Sequence, residues 1–390
     1  MMSHMLILKH FSLPLVGLLL ALMPMALIGS ELLLQPTPDG GLQPRLVVDA
    51  TGTVHLLYFK KRLDQPQARE GNLYYRQYLA DSGRWGNPVK VSSTAFNLQT
   101  FSIARAGMAL DGDGRVHVIW YLPRAGQYIY ARSDTGRTAF ETQQSMVTQF
   151  AEGLDAGADI AAAGKQVAIV WAAGDLSREF ERTVFVRVSV DNGATFGPEL
   201  TAGNPDLGAC ACCSLATDFN SSNDLFIGYR SAIDGSGRHM QLLTLDLAGD
   251  NIASATYASV HELQQWELSA CPLSTNDIAT DPAGTQWLVF ETAARIVQKQ
   301  LQADSAPSLV AEPLSTTRQK NPAVAFNSAG QRLIVWGEGI SHSRGGRLNM
   351  QLFDADGSSR ATGFEANIEI PEFSFPAAAW LPDDKFLVLY

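Results

Sequence analysis

The chain is poor in what several function classes require. Positive charge is scarce: 29 Lys and Arg stand against 39 Asp and Glu, a formal net charge of −10. Nucleic-acid readers need basic patches that displace counterions, so no nucleic-acid partner is expected. Helical periodicity is weak and charged residues make up only 17 %, which sets aside coiled coils and long amphipathic helices. After residue 30 no stretch approaches the ~20 apolar residues that a membrane helix needs. Glycine (33) and proline (18) suffice for many turns without making the sequence low in complexity. There is no phosphate-binding loop, zinc-protease helix, Gly-x-Ser-x-Gly elbow or Cys-x-x-Cys-His haem attachment. What remains is a 390-residue chain that is 46 % apolar, enough for a sizeable core.

Residues 1–30 read as a signal peptide. Lys9 is their only formal charge, an apolar run follows from Phe11 to Ile28, and the small residues Gly29 and Ser30 can end the segment. The alternative is an uncleaved anchor. With the signal removed, residues 31–390 form one domain without a membrane span. It is expected to be periplasmic or secreted, where disulfides persist.

The strongest signal in that domain is internal repetition. A short apolar strand, a polar turn and a second apolar strand ending in an aromatic recur seven times. The first copy runs from Leu46 through Asp49 and Gly52 to Tyr58. The closing aromatics of the copies are Tyr58, Trp120, Trp171, Tyr229, Phe290, Trp336 and Tyr390, 46 to 62 residues apart. Each interval holds four strands of about 5–6 residues plus turns. In the turns an Asp or Asn bonds its own backbone and a Gly takes the positive φ. The fourth copy shows Asp218 with Ser221 near the glycine slot, and the seventh has Asp384 in it. Apolar runs on both sides of a turn mark strands buried on both faces. The expected fold is all-β: a β-propeller, seven blades favoured and six the alternative. Pairing of the N- and C-terminal strands would close the ring, with Glu31-Leu32-Leu33-Leu34 joining the last hairpin.

One turn is more specific. Ser189, Asp191, Gly193, Thr195 and Phe196 match the Asp-box pattern Ser-x-Asp-x-Gly-x-Thr-aromatic, and Ser133, Asp134, Gly136, Thr138 and Phe140 repeat it in degenerate form. These turns are read as structural: their side chains satisfy turn backbone and the aromatic tucks beneath. On this pattern the chain resembles the Asp-box (BNR-repeat) proteins of the sialidase-like superfamily. Sialidases of that superfamily are six-bladed, hold a carboxylate sugar with three arginines, and use a Tyr–Glu pair and an Asp. Their first arginine lies in an aromatic-Arg-Ile-Pro motif. The nearest segment here is Gln43-Pro44-Arg45-Leu46, which departs from it, so no catalytic residue is carried over.

Four cysteines are the most unusual feature. Cys210, Cys212 and Cys213 lie in the segment leading into the fourth repeat, and Cys271, followed by Pro272, leads into the fifth. These inlet loops are neighbours in a propeller and lie on the face where ligands usually sit. Three readings stand: two structural disulfides, a thiolate site for Cu(I) or Zn, or a redox-active pair. No other cofactor is expected. A Cys-x-Cys-Cys segment with a later Cys-Pro resembles a subset of bacterial exported sialidase-like propellers.

Loops on the same face supply the candidate ligand-binding residues Arg45, Arg124, Arg230, Glu291, Arg318, Glu338 and His342. Asp277 and Glu291 are the weak candidates for a catalytic carboxylate pair, which needs a separation of about 5–9.5 Å. His55 and His117 share one slot in the first two repeats and are read as strand residues. The leading functional expectation is a module that binds a glycan or an exported protein. The alternatives are a divergent sialidase-like exo-glycosidase acting on acidic glycans, and a periplasmic metal-binding protein.

Overall fold

The turn inside five of the seven repeats is built largely by one side chain. Oδ1 of Asp49 accepts the N–H groups of Thr51 and Thr53, both at 2.9 Å. Asp111, Asn220, Asp281 and Asn327 each do the same for the residues two and four further on. The third residue after each acceptor has positive φ, from +64° at Asn223 to +83° at Gly52 and Gly284. Asp384 takes the same conformation, at +63°. In the fourth copy, therefore, the turn residues are Asn220 and Asn223 rather than Asp218 and Ser221. Asp218 lies one step back on the strand.

The second oxygen of these turn aspartates locks the following strand. Asp49 Oδ2 meets His55 Nε2, Asp111 Oδ2 meets His117 Nε2, and Asp281 Oδ2 accepts Trp287 Nε1–H, each at 3.1 Å. The Nδ1 atoms of His55 and His117 lie 2.7 Å from the Tyr75 and Tyr130 hydroxyls. Both imidazoles are fully buried, and both are struts.

The computed structural model describes residues 31–390 apart from 63–68, 99–104, 156, 248–258, 313–315, 342–343 and 363–366. These residues form seven sheets and no α-helix. The innermost strands are Leu42–Val48, Gly107–Leu110, Asp159–Ala163, Ala216–Phe219, Asp277–Thr280, Gln319–Phe326 and Ala377–Leu381. They line one central channel, and six of the seven sheets run outward from it by antiparallel pairing throughout. This is a seven-bladed propeller; the seventh hairpin makes a blade of its own. That blade is completed by Glu31–Gln35, which pairs in parallel with Lys385–Leu389. The Thr37 N–H adds a bond to the Tyr390 carbonyl at 2.9 Å. The ring is thus closed by its two terminal segments.

Each pair of neighbouring blades shares an apolar core. The one between blades 3 and 4 gathers 17 buried residues, whereas that between blades 4 and 5 has six: Ala216, Met240, Ile278, Leu288, Phe290 and Val297. At that interface the buried Cys210, Cys212 and Cys213 form a further cluster with Leu273.

The turn at 189–196 is closed by its own side chains. Asp191 accepts from the Ser189 hydroxyl at 2.7 Å, the Thr195 N–H at 2.8 Å and the Thr195 hydroxyl at 2.6 Å. Phe196 packs edge-on against Tyr130 of blade 2, with ring centres 5.0 Å apart. The turn therefore also binds one blade to the next.

Candidate functional site

The inlet loops of blades 4 and 5 meet. A disulfide joins Cys212 to Cys271, 59 residues apart in the chain. It is one bond and not the two that an even cysteine count suggested: Cys210 and Cys213 are buried thiols. With Cys212 tied to Cys271, those two stand at Cys-x-x-Cys spacing, a pattern hidden in the sequence by the third cysteine between them. Cys210 Sγ lies 3.4 Å from Cys213 Sγ and 3.4 Å from Cys212 Sγ. Cys271 is exposed, while the other three are buried.

Polar groups from four blades close around the sulfurs. From blade 3, Glu179 accepts the Ala211 N–H at 2.8 Å and an Arg238 Nη2–H at 2.6 Å. From blade 4, the Arg230 carbonyl accepts the Cys210 N–H at 2.9 Å. The Arg230 guanidinium donates to the carbonyls of Arg238 and Glu291 and lies 5.0 Å from the Trp266 ring centre. From blade 5 comes Glu291, fully buried, with Oε1 accepting from Arg318 and Oε2 without a hydrogen-bond partner among the described residues. From blade 6, Arg318 and Lys320 donate to the Pro272 carbonyl at 2.9 and 2.7 Å.

This setting divides the two thiols. Burial would raise Cys213, but the hydrogen bond from Cys210, the Arg230 charge and the Ser274 N–H hold it below the ordinary thiol range. Cys210 is pushed up, because its proton is held on Cys213 and because it is buried. Burial also pushes Lys320 down, against the pull of Glu291.

The cluster can be tested for a metal on its donors. The Sγ atoms of Cys210, Cys212 and Cys213 lie within 4.8 Å of one another. With Cys212 in a disulfide, two thiols are left. Two thiols fall short of the four-ligand set of a structural zinc site, while a Glu179 carboxylate oxygen lies within 4.8 Å of the Cys212 and Cys271 sulfurs. A soft ion such as Cu(I) would have to be held by Cys210 and Cys213.

Other candidate residues lie apart from this cluster. Arg45 faces the channel, with Nη1 2.7 Å from Asp277 Oδ1 and Nη2 3.9 Å from Asp159 Oδ2. The Asp277 Oδ2 atom accepts the Val324 N–H at 3.0 Å. Asp277 pairs with Val289, so Glu291 lies diagonally across from it on the next strand. Each of these two carboxylates is held by its own arginine. Glu338 caps Trp336, Gln319 and Asn349 in blade 6, Arg124 is exposed on a blade 2 loop, and His342 lies outside the described residues.

The channel, with a volume of about 490 Å³, holds charges that sequence reading did not place there: Arg105 and Asp218 line it, and Asp159 lies beside Arg45. Burial, helped by the Arg45 charge, lowers Arg105 to about 10. Burial raises Asp159, and it raises Asp218 to about 6 although the Thr280 hydroxyl bonds it. Asp159 begins its innermost strand just as Asp277 does, and that shared position was the available signal. Glu179 and Arg238 lie in the loops that leave the second strands of blades 3 and 4, and Trp266 in the loop leading into blade 5; the length and sequence of these loops differ from repeat to repeat, so the pattern gave no signal for them.

The sequence matches no protein-family model and no curated protein. The fold does recur. An α-L-arabinanase from Penicillium chrysogenum, solved with arabinobiose, is 13 % identical with a TM-score of 0.51, over 83 % of this chain and 95 % of its own. A protein of unknown function from Dyadobacter fermentans is 11 % identical with a TM-score of 0.50, over 82 % and 96 %. The likeness is one of propeller fold.

Proposed function

We propose that the chain is an exported propeller, with residues 1–30 as its signal peptide, that binds an acidic glycan on the face carrying the cysteines. The observation behind this is electrostatic. In a protein of net charge −10, Arg318 and Lys320 bond the Pro272 carbonyl, with Arg230 and Arg238 beside them and the carboxylates of Glu179 and Glu291 between. Arg318 is the accessible one: its side chain is 34 % exposed, and its guanidinium lies 5.9 Å from the half-buried Trp266 ring. A guanidinium beside an aromatic surface suits a carboxylate sugar. A glycan is also what the arabinanase of like fold was solved with.

Calorimetry of residues 31–390 with uronyl, sialyl and neutral oligosaccharides tests this. Binding of an acidic sugar that is lost in Arg318→Ala supports the reading. Equal binding of neutral sugars, or capture of an exported protein instead, rejects it. The glycosidase reading is favoured by the unpartnered oxygen of Glu291 and its diagonal placement to Asp277. It would be established by turnover that Glu291→Gln abolishes. Binding of Cu(I) by the thiols is the remaining reading, and elemental analysis of the purified protein decides it.

A further inference from the structure

A structural staple between two blades needs two cysteines. This interface has four, with sulfurs in contact. The disulfide occupies Cys212 and Cys271, and the two remaining thiols are not scattered: Cys210 touches both its partner Cys213 and the disulfide sulfur of Cys212. Of the four sulfur-bearing residues, Cys271 alone is exposed. The arrangement has an outer end open to solvent, a bonded sulfur in the middle, and a dithiol behind it. Arg230 and Arg238 bring positive charge to that dithiol.

We propose that the four cysteines form a thiol–disulfide relay, in which Cys212–Cys271 is the surface couple, Cys210–Cys213 the buried couple, and an external dithiol or disulfide the exchange partner at Cys271. This goes beyond glycan binding and does not depend on it.

The internal exchange balances without a further reagent. Cys210 gives up its proton, and its sulfur attacks Cys212 Sγ. The Cys212–Cys271 bond breaks, and Cys271 leaves as a thiolate that takes a proton from solvent. Cys213, giving up its proton, then attacks Cys210 Sγ. Cys212 leaves as a thiolate and is protonated in turn. One disulfide has moved inward, two electrons have moved outward, and two protons have followed them. The reverse sequence carries electrons inward. Exchange with solvent occurs at Cys271, where an external thiolate can reach sulfur, attack it and release Cys212.

The order of events is the test. Protein 31–390 is first oxidised fully with excess oxidised glutathione and freed of it. One equivalent of dithiothreitol is then added under argon. Samples are acid-quenched over time, alkylated and mapped by mass spectrometry. The relay requires two disulfides at the start, Cys210–Cys213 and Cys212–Cys271. New thiols then appear first at Cys212 and Cys271 and migrate to Cys210 and Cys213, at a rate independent of protein concentration. In Cys213→Ser no buried disulfide can form, so the thiols released at Cys212 and Cys271 stay there. Failure of Cys210 and Cys213 to oxidise overturns the relay, as do thiols that stay at Cys212 and Cys271. So does copper or zinc bound to the cluster in the purified protein. The wild-type time course decides the matter even if the variant does not fold, and a negative result leaves sugar binding untouched.

Discussion

Arg45 and Asp277 are 232 residues apart in the chain and 2.7 Å apart in the channel, Nη1 to Oδ1. The pair joins the innermost strands of blades 1 and 5 across the axis. Both side chains are largely buried, so removing one leaves an uncompensated charge. Asp277→Ala and Arg45→Met should each destabilise the fold by about 3–5 kcal/mol. The double variant should cost less than the sum, because the second change removes the stranded partner. Urea unfolding of the four proteins measures this.

Two aspartates should shape stability against pH in opposite ways. Burial raises Asp218 to about 6 from 3.8. Its contribution is complete below about 3.8 and is lost as pH rises through about 6, because the unfolded chain ionises first. Burial acts on Asp111 too, but hydrogen bonds from His117 and Asn192 hold it down to about 2. Its contribution is complete above about 3.8 and is lost as pH falls through about 2. Between pH 4 and 7, urea midpoints should fall more for the wild type than for Asp218→Asn. Parallel curves would remove Asp218 from the account.

A Cβ on Gly193 would lie 1.9 Å from the Tyr130 hydroxyl, and its φ is +70°. A Cβ on Gly357, at φ +88°, meets nothing within 4 Å. Gly357→Ala should therefore cost only the backbone share, about 1–2 kcal/mol. Gly193→Ala should cost clearly more, since the blade 2 contact must also give way. Thermal unfolding of the two variants makes the comparison.

Ring closure rests on the strand Glu31–Gln35, which hydrogen-bonds to Lys385–Leu389. Deleting residues 31–36 exposes the edge of the last blade and its apolar Phe386 and Val388. The shortened protein should unfold at lower temperature and self-associate, as an unpaired strand edge does. Light scattering beside a thermal melt would show both.

The repeat was legible because its turns are local. An Asx acceptor and a positive-φ residue three positions on are written consecutively, and they recur with the period of a blade. The same rule misplaced one residue. Asp218 reads as a turn acid, yet Asn220 and Asn223 do that work and Asp218 faces the channel instead. Which residues meet across blades was less legible. That the two cysteine loops are neighbours followed from the repeat count. That Cys212 takes Cys271 and leaves Cys210 against Cys213 depends on side-chain directions within one four-residue segment. Glu179 reaches the cluster from the loop between the second and third strands of blade 3, whose length and sequence differ from those of the equivalent loops, so repetition does not say what it carries.

The central claim is that the ring brings residues 210–213 and 271 into one cluster with a defined pairing. Alkylation of the purified, non-reduced protein after rapid denaturation in acid, followed by peptide mapping, tests it most directly. The structure requires a Cys212–Cys271 linkage, with Cys210 and Cys213 either both alkylated or bonded to each other. Four alkylated cysteines, or a bond between the adjacent Cys212 and Cys213, would contradict it.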